Sequence, residues 1–400
     1  MPDQNRPTWS YSLPAALLLM APFDILASLA MDIYLPVVPR MPEILGTSPA
    51  VVQLTLSLYM LMLGMGQLLF GPLSDRLGRR PVLLGGAALF ALSSLLLSAT
   101  TSASLFVMLR LIQAAGASAA LVATFATVRD VYGERPEGVT IYGLFSAMLS
   151  FVPALGPIAG ALISGAFGWQ AIFLTLGVLG LAALGQALSR WSETRTVTTG
   201  KPKPAFVAIL RDGAFWTYTL GFATAMGAFF VFFSTAPRLL IDRAGYSQLG
   251  FSLAFATAAA VMILTTRFAK GFVARFGIPG CLARGMALLM SGSLLLAIGE
   301  TVATPSFTTF VLPMWIIAGG IVMTASVTAN GALKAFDAMA GTAVALYFAV
   351  QSLIVSLVGT GSVLLLGGDT AWPLVAYCLT MATVTLVALK LLNRRQRQPV

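Results

Sequence analysis

The stretch APFDILASLAMDIYLPVVP, from Ala21 to Pro39, places two carboxylates inside a segment apolar enough to cross a lipid bilayer. A carboxylate at membrane depth costs roughly 2.5 to 3.5 kcal/mol on insertion scales, so such residues usually face a polar interior and belong to a transport or proton pathway. Eight residues separate Asp24 and Asp32, which on a helix puts them about 80° apart around the axis and about 12 Å apart along it. We expect both to line one cavity at two depths. The alternative is a pair of structural aspartates hydrogen-bonded to neighbouring helices.

The composition of the chain is that of a membrane protein. Of its 400 residues, 58% are hydrophobic and 10% are charged, whereas soluble domains carry about 25% charged residues. Alternating ten-residue strands are absent from the sequence, which excludes a β-barrel and predicts an all-α membrane protein. Histidine is also absent, so a proton carrier has to be a carboxylate.

Three further features narrow the class of protein. The net charge of +10 comes from loops and tails and forms no nucleic-acid patch. Cys281 and Cys378 indicate neither a disulfide framework nor a metal site. The first apolar segment carries two aspartates and lacks a small-residue cleavage site, so it is expected to be an uncleaved span.

Twelve apolar segments have the length of about 20 residues that crosses a bilayer. They lie near residues 14–38, 50–70, 81–101, 103–126, 138–165, 168–189, 214–237, 250–269, 279–300, 306–329, 340–366 and 370–392. A polar stretch separates the sixth from the seventh. The sequence therefore predicts 12 transmembrane helices in two halves: an N-terminal six-helix half over residues 1–189, a cytoplasmic linker over 190–213 and a C-terminal six-helix half over 214–400.

The distribution of Lys and Arg predicts that both termini are cytoplasmic. With that orientation, the inner segments hold Arg6, Arg76, Arg79, Arg80, Arg129, Arg135, Arg190, Arg195, Lys201, Lys203, Arg211, Arg267, Lys270, Arg275, Arg284, Lys334, Lys390, Arg394, Arg395 and Arg397. The outer loops hold only Arg40, Arg238 and Arg243. This asymmetry follows the positive-inside rule. The remaining basic residue, Arg110, lies inside the fourth span.

A short internal echo favours a duplicated chain. Arg76-Leu77-Gly78 follows span 2, and Arg275-Phe276-Gly277 follows span 8, about half a chain later. Two six-helix halves with a site near the bilayer midplane are a recurring plan of transporters.

The segment GPLSDRLGRRP, from Gly71 to Pro81, resembles the loop 2–3 signature of the major facilitator superfamily. Its matching residues are Gly71, Asp75, Arg76, Gly78, Arg79 and Arg80. The resemblance implies a conformational motif in which Asp75 lies at the N-terminus of span 11, where a helix dipole favours a negative charge. The alternative is a basic loop that only sets the topology. In the second half, Ala274 stands where the first half has Asp75, so no equivalent clasp is expected there.

Two further segments carry the same resemblance. LRLIQAAGASAA, in span 4, matches the family's Arg-x-x-Gln-x-x-Gly pattern at Arg110, Gln113 and Gly116. Arg110 and Asp32 each lie roughly 10 Å below the same surface, so an ion pair or a water-bridged contact is expected; the alternative is Arg110 reaching outward to the bilayer interface.

FVPALGPIAGA, in span 5, resembles the motif regarded as the mark of antiporters. Gly156, Pro157 and Gly160 are its residues. They are expected to bend the helix and to allow the tight packing that seals it against proton leakage.

Nearly the whole chain resembles a twelve-span drug:proton antiporter, and more closely the bacterial florfenicol/chloramphenicol exporter group. The stretches VATFATVRDVY, FFVFFSTAPR and SVTANGAL carry this closer resemblance. It implies proton coupling at Asp24, Asp32 and Arg110. It also implies a monomer in the bacterial inner membrane that exports a phenicol drug in exchange for H⁺, with no cofactor beyond the proton gradient.

Ligand pockets for neutral aromatic drugs are mostly apolar, with a few hydrogen-bonding groups. From their span positions, the predicted substrate-binding residues are Asp24, Arg110, Tyr59, Phe145, Phe230, Phe233, Asn330, Tyr347 and Gln351. The alternative for each aromatic residue is packing in the core or against lipid.

Other functions of the same fold stay open. A broader multidrug, bicyclomycin-like or sugar exporter is the nearest one, and a nutrient importer is disfavoured by the span 5 motif. An enzyme is disfavoured because no cluster has catalytic or metal-ligand spacing, and ATP-driven pumping because no GxxxxGK[ST] loop occurs.

Overall fold

A computed structural model of the chain describes residues 9, 11–132, 136–195, 206–336 and 339–397. Within these residues every regular element is helical, and twelve helices are long and apolar enough to cross a membrane. The predicted fold class is therefore confirmed. Arg6, Arg135, Lys201 and Lys203 of the predicted inner charges, and residues 196–205 of the predicted linker, lie outside the described residues.

The chain divides into two compact units, of which the first is Met1–Lys203. Its six long helices are α1 at Leu13–Asp32, α2 at Pro49–Leu77, α3 at Arg79–Ala99, α4 at Ala103–Tyr132, α5 at Pro136–Phe167 and α6 at Gln170–Arg190. The chain leaves α1 through a 3₁₀ turn, Leu35–Arg40, that contains Pro36 and Pro39. Because proline lacks a backbone N–H, this is where the α-helical hydrogen bonding of the first span ends.

The second unit is Pro204–Val400. Its six long helices are α7 at Gly213–Pro237, α8 at Gln248–Thr266, α9 at Ala269–Val302, α10 at Leu312–Leu333, α11 at Ala340–Ile354 and α12 at Trp372–Arg397. Stretches of π-helix extend three of them, at Arg238–Arg243, Phe307–Val311 and Val355–Gly359. After the last of these, the eleventh span continues over Thr360–Leu366.

The two units repeat one packing plan. In the first unit α3 packs against α4 and α6, α2 packs against α4, and α1 packs against α5. In the second unit α9 packs against α10 and α12, α8 against α10, and α7 against α11. These pairs in the second unit thus join the helices six places later than those in the first, as expected of a duplicated six-helix unit.

Closely approaching glycines hold the central helix pair of each unit together. A Cβ atom on Gly86 of α3 would lie 2.7 Å from the carbonyl oxygen of Gly116 on α4. In the second unit, a Cβ atom on Gly285 of α9 would lie 3.0 Å from the carbonyl oxygen of Gly320 on α10. Small residues at such crossings let two backbones pack directly, which is a major source of helix association in membranes.

The turn between spans 2 and 3 is shorter than the sequence indicates. Residues 71–77 remain helical as the end of α2, and α3 begins at Arg79, so the turn consists of Gly78 alone. Gly78 has φ +110°, and Gly277, its counterpart in the second unit, has φ +67°. Only glycine enters this region without a steric penalty.

The helices run past the apolar segments because backbone hydrogen bonding within a helix continues wherever it is uninterrupted, whereas hydropathy marks only the part in lipid.

Candidate proton and substrate site

Asp24 is enclosed in the first unit, and no described residue forms a hydrogen bond with its side chain. Its residue is 1% exposed, and neither carboxylate oxygen has a partner among the described residues. Asp32, the last residue of α1, is 5% exposed. Two buried carboxyl groups therefore lie on one membrane helix. Groups of this kind are rare in membrane interiors and usually belong to ion or proton pathways.

Arg110 on α4 is 0% exposed and makes its hydrogen bonds to neutral oxygens. Its Nη1 donates to the carbonyl oxygen of Ala30 at 3.0 Å and to Oε1 of Gln113 at 2.7 Å. Gln113 in turn donates from Nε2 to Oγ of Ser94 on α3 at 2.7 Å. The guanidinium therefore joins α1 to a polar chain that crosses from α4 to α3.

Three aromatic rings surround the same guanidinium. Its Cζ atom lies 4.5 Å from the ring centroid of Tyr59, 5.2 Å from that of Tyr34 and 6.0 Å from that of Phe173. Such contacts stabilise a cation by about 2 kcal/mol when water is excluded. The hydroxyl of Tyr59 donates to the carbonyl oxygen of Ala27 at 2.8 Å, which fixes the ring between α1 and α4. We call Tyr34, Tyr59 and Phe173 the aromatic cage of Arg110.

The predicted ion pair between Asp32 and Arg110 is wrong for this structure. Among the described residues the two side chains form no salt bridge, and Nε and Nη2 of Arg110 have no hydrogen-bond partner. The guanidinium is drawn instead toward the Ala30 carbonyl, Gln113 and the cage. The alternative, in which Arg110 reaches the bilayer interface, is also wrong because the side chain is fully buried. A water-bridged contact between Asp32 and Arg110 stays a prediction.

The glycines of the span 5 motif pack against α1 beside Asp32. A Cβ atom on Gly156 would lie 2.7 Å from Cβ of Asp32, and one on Gly160 would overlap the carbonyl oxygen of Ile33. Pro153 and Pro157 lie inside the same helix. The tight packing expected of this motif is therefore present, and its partner is the helix that carries both aspartates.

The loop 2–3 motif forms a cluster of charges at the junction of α2, α3 and α4. Nη1 of Arg79 lies 2.7 Å from Oδ1 of Asp75 and 3.1 Å from Oγ of Ser74, and its Nε lies 2.7 Å from Oδ2 of Asp130 at the end of α4. Arg79 is buried. Its charge therefore joins two carboxylates in a partly buried site, where hydrogen-bonded ion pairs are stronger than on an open surface.

Glu193, which the sequence analysis did not single out, caps α3. Its carboxylate accepts hydrogen bonds from the backbone N–H groups of Arg79 at 2.8 Å and Arg80 at 3.1 Å, and from those of Thr194 and Arg195. A Cβ atom on Gly78 would overlap this carboxylate. A negative charge at a helix N-terminus is favourable. No local sequence signal could reveal the cap, because Glu193 follows α6 and lies far along the chain from the helix that it caps.

The predicted substrate residues occupy three kinds of environment. Tyr59 contacts Arg110, and Phe145 is 1% exposed with an edge-to-face contact to Phe125 at 5.8 Å. In the second unit Phe230 and Phe233 are each 2% exposed. Asn330, near the end of α10, is exposed.

Tyr347 and Gln351 lie one turn apart on α11 and are both buried. The hydroxyl of Tyr347 lies 2.9 Å from Oγ1 of Thr328, and its ring stacks on Phe222 at 4.9 Å. Gln351 accepts a hydrogen bond from Ser352 at 3.3 Å, while its Nε2 has no partner among the described residues. The structure thus brings Tyr59, Arg110 and Gln113 together in the first unit, and Tyr347 and Gln351 together in the second.

In the part of the chain that the structure describes, no group of three or more His, Cys, Asp or Glu side chains could hold a metal ion. Cys281 and Cys378 are both buried free thiols.

The fold and the buried charges define a class: a polytopic helical transporter built from two six-helix units. The chain belongs to the Major Facilitator Superfamily, whose family model matches residues 23–360. The predicted membership of this superfamily is confirmed, and the chain is a multi-pass transporter of the bacterial inner membrane.

Three proteins show what the chain is similar to. It is 50% identical over 380 residues to a chloramphenicol resistance protein of Pseudomonas aeruginosa, covering 95% of this chain and 91% of that one. It is 29% identical over 316 residues to the multidrug resistance protein MdtL of Escherichia coli, covering 78% and 79%. The crystal structure of a D-xylose-proton symporter has the same fold, with a TM-score of 0.75 at 16% identity over 94% and 97% of the two chains.

Proposed function

We propose that this transporter exports phenicol antibiotics such as florfenicol and chloramphenicol across the cytoplasmic membrane, in exchange for protons and by alternating access. Resistance to these drugs would follow. The similarity to a chloramphenicol resistance protein, at 50% identity over 95% of this chain, supports the drug class. The proposal includes no cofactor, because the proton gradient supplies the energy.

The observation that carries proton coupling is the enclosure of Asp24 on α1 without a described hydrogen-bond partner. A carboxyl group in this position has two ways to be stabilised: it binds a proton, or it accepts a hydrogen bond from a ligand. A hydroxyl group of the drug and a proton would then compete for the same oxygen atoms. Such competition makes each weaken the binding of the other, which is the reciprocity that exchange requires.

Asp32 and Arg110 complete the proposed coupling site. Arg110 already makes hydrogen bonds to Ala30 and Gln113 but keeps Nε and Nη2 without described partners. These donors are available to Asp32 after a helix movement, or to a polar group of the drug. Release of the proton from Asp32 would strengthen its attraction to Arg110, and binding of a proton would weaken it.

The drugs are neutral molecules with a nitro- or sulfonyl-substituted aromatic ring and hydroxyl groups. Asp24 would accept from a hydroxyl, and Arg110 would contact the ring face or the polar substituent. The other proposed binding residues are Tyr59, Phe145, Phe230, Phe233, Asn330, Tyr347 and Gln351. Of these, Gln351 keeps a buried amide donor without a described partner, which suits a neutral polar ligand.

Substitution of the aspartates tests the coupling. Asp24→Asn and Asp32→Asn remove the titratable group and nearly preserve its size, so each is expected to abolish drug-driven proton movement in vesicles. Glu137→Gln, at an exposed position on α5, is the matched control and should leave it unchanged. Coupled transport at the level of the unaltered protein in both aspartate variants would refute the assignment.

Drug susceptibility of cells tests the substrate class. Cells that express the chain should become less susceptible to florfenicol and chloramphenicol, and a proton uncoupler should abolish the difference in drug accumulation. Efflux that persists after the uncoupler would exclude proton coupling.

The second candidate is a multidrug exporter with a broader range. The 29% identity to the multidrug resistance protein MdtL favours it over the sugar and bicyclomycin alternatives. Accumulation of a panel of unrelated drugs separates the two: a phenicol exporter should lower only phenicol accumulation, and a multidrug exporter should lower several classes.

A further inference from the structure

Two arginines of the α8–α9 junction converge on one aromatic ring in the second unit. The Cζ atom of Arg284 lies 4.0 Å from the ring centroid of Phe276, and that of Arg275 lies 5.3 Å from it. Both arginines are exposed. Arg284 also donates from Nη1 to the carbonyl oxygen of Gly280 at 3.2 Å. Since like charges repel, two cations held at one ring favour an anion beside them.

The second unit itself offers no described carboxylate to this pair. Its described acidic residues are Asp212, Asp242, Glu300 and Asp369. Asp212 caps α7 by accepting from the backbone N–H of Phe215 at 2.6 Å. The other three lie at the opposite ends of the spans, because successive spans run in opposite directions. Neither arginine forms a salt bridge with a carboxylate that the structure describes.

The corresponding junction of the first unit contains carboxylate side chains that pair with its arginine. There Arg79 contacts Asp75 and Asp130. The position equivalent to Asp75, counted from the two glycine turns, is Ala274. In the same count Arg275 corresponds to Arg76, whereas Ile278 stands in the place of Arg79. The second junction therefore has the glycine turn and one of the cations but lacks the acidic residue.

The rest of the junction has the character of a lipid-facing surface. Arg267 and Lys270 are exposed and add two further charges. Phe268 is 63% exposed, and its ring centroid lies 6.5 Å from that of Phe272 with the two rings tilted by 36°. Exposed apolar rings such as that of Phe268 beside basic residues match surfaces that lie at the boundary between lipid headgroups and acyl chains. Clusters of four or more basic residues there recognise anionic lipids.

We propose that Arg267, Lys270, Arg275 and Arg284 form a binding site for the phosphate headgroup of an anionic phospholipid, with Phe268 inserted among its acyl chains. The guanidinium groups of Arg275 and Arg284 bind the phosphate oxygens in pairs, the geometry for which arginine is better suited than lysine. The inference uses the orientation predicted from the distribution of Lys and Arg, with both termini in the cytoplasm, since the site then faces the cytoplasmic leaflet. It does not depend on which drug is carried.

The test is a titration of the purified full chain with phosphatidylglycerol in neutral detergent, with bound lipid counted by native mass spectrometry. Arg275→Gln combined with Arg284→Gln should weaken lipid binding by roughly thirtyfold, since each basic residue contributes about 1 kcal/mol at the membrane surface. Lys390→Gln combined with Arg394→Gln removes the same charge from exposed positions of α12 and should change it much less. Equal weakening in both double variants would overturn the proposal, because it would show only general attraction.

The second test adds a carboxylate to the junction itself. Ala274→Asp restores the acidic residue found at the first junction, so it should lower phosphatidylglycerol affinity while Arg275 and Arg284 remain in place. The affinity for phosphatidylcholine, which has no net charge, should be the same in all of these variants. Inorganic phosphate is added as a competitor of bound phosphatidylglycerol. If it displaces the lipid as effectively as added lipid does, the site binds a free anion and the lipid assignment is overturned. All of these measurements are made without transport, so they stay informative even if the proposed drug or its coupling proves wrong.

Discussion

Arg110 is stabilised in the interior of the first unit by aromatic faces and neutral oxygens rather than by a carboxylate. Tyr59 contributes in two ways, since its ring lies 4.5 Å from the guanidinium carbon and its hydroxyl donates to Ala27 on α1. An unsupported guanidinium at this depth would be costly. Tyr59 is therefore a residue that positions Arg110, whether or not it also touches the drug.

Two substitutions of Tyr59 separate its ring from its hydroxyl. Tyr59→Leu removes the aromatic face and is expected to cost about 2 kcal/mol of stability and most of the coupled transport. Tyr59→Phe keeps the face and loses one hydrogen bond, about 1 kcal/mol, so much of the transport should remain. Drug-driven proton uptake in vesicles and thermal unfolding in detergent are the measurements. Equal losses in the two variants would show that the ring does not hold Arg110.

The same residues show how far sequence reasoning reaches at this scale. Burial of Asp24, Asp32 and Arg110 was predictable, because charges in apolar spans have to avoid lipid. The partner of Arg110 was not, because side-chain direction at a helix crossing depends on packing. Depth along two helices indicated that Asp32 and Arg110 are near the same level, but it contained no information on the competing Ala30 carbonyl, Gln113 or the aromatic cage.

Among the elements, α5 packs against α1 through two small residues. Gly156 and Gly160 bring its backbone against Asp32 and Ile33 of α1, with no room for a side chain. The sequence predicted the tight packing but not its partner, since Gly-Pro patterns specify a surface of a helix and not its neighbour.

Gly160→Ala tests this contact. The added methyl group would collide with the carbonyl oxygen of Ile33 and is expected to lower stability by about 1 to 3 kcal/mol, as overpacking does. Gly165→Ala on the same helix adds the methyl group to open space and serves as the control. The measurement is thermal unfolding of the two purified variants. If Gly165→Ala is as unstable as Gly160→Ala, the loss of stability does not come from the contact with Ile33.

The cap of α3 is a second prediction at the scale of elements. Glu193→Ala removes the acceptor of the Arg79 and Arg80 backbone N–H groups and should cost about 1 to 2 kcal/mol, the usual effect of losing a helix cap. Glu43→Ala, at an exposed position, is the comparison in thermal unfolding. Unchanged stability of the Glu193 variant would mean that other groups replace the carboxylate.

For the whole molecule, the two units share a packing plan but not a distribution of charge. α7 and α10 have the places of α1 and α4 in the repeat, yet neither sequence contains a charged residue. The buried charged residues among those the structure describes, Asp24, Asp32, Arg79 and Arg110, all lie in the first unit. Span number and the repeat were predictable because hydropathy and length suffice for them. Helix ends were predicted less well, because α2 and α9 continue past their apolar segments.

The proposed orientation can be tested with single cysteines, since native Cys281 and Cys378 are each 0% exposed. Thr101→Cys, in the α3–α4 turn, should react with a membrane-impermeant maleimide in cells whose outer membrane is permeabilised. Lys334→Cys, after α10, should react only after the inner membrane is opened. Both positions are exposed. The reverse pattern would invert the topology and place the cluster of Arg275 and Arg284 at the periplasmic leaflet.

Gly78 is the whole of the connection between α2 and α3. A joint of one residue has no spare length, so the two helix ends cannot move apart by more than a single residue spans. Peptide tags, protease sites or fluorescent domains inserted at this joint would break that mechanical link. A label on this transporter should therefore be placed away from Gly78, even though the arginines on either side of it in the sequence suggest an exposed loop.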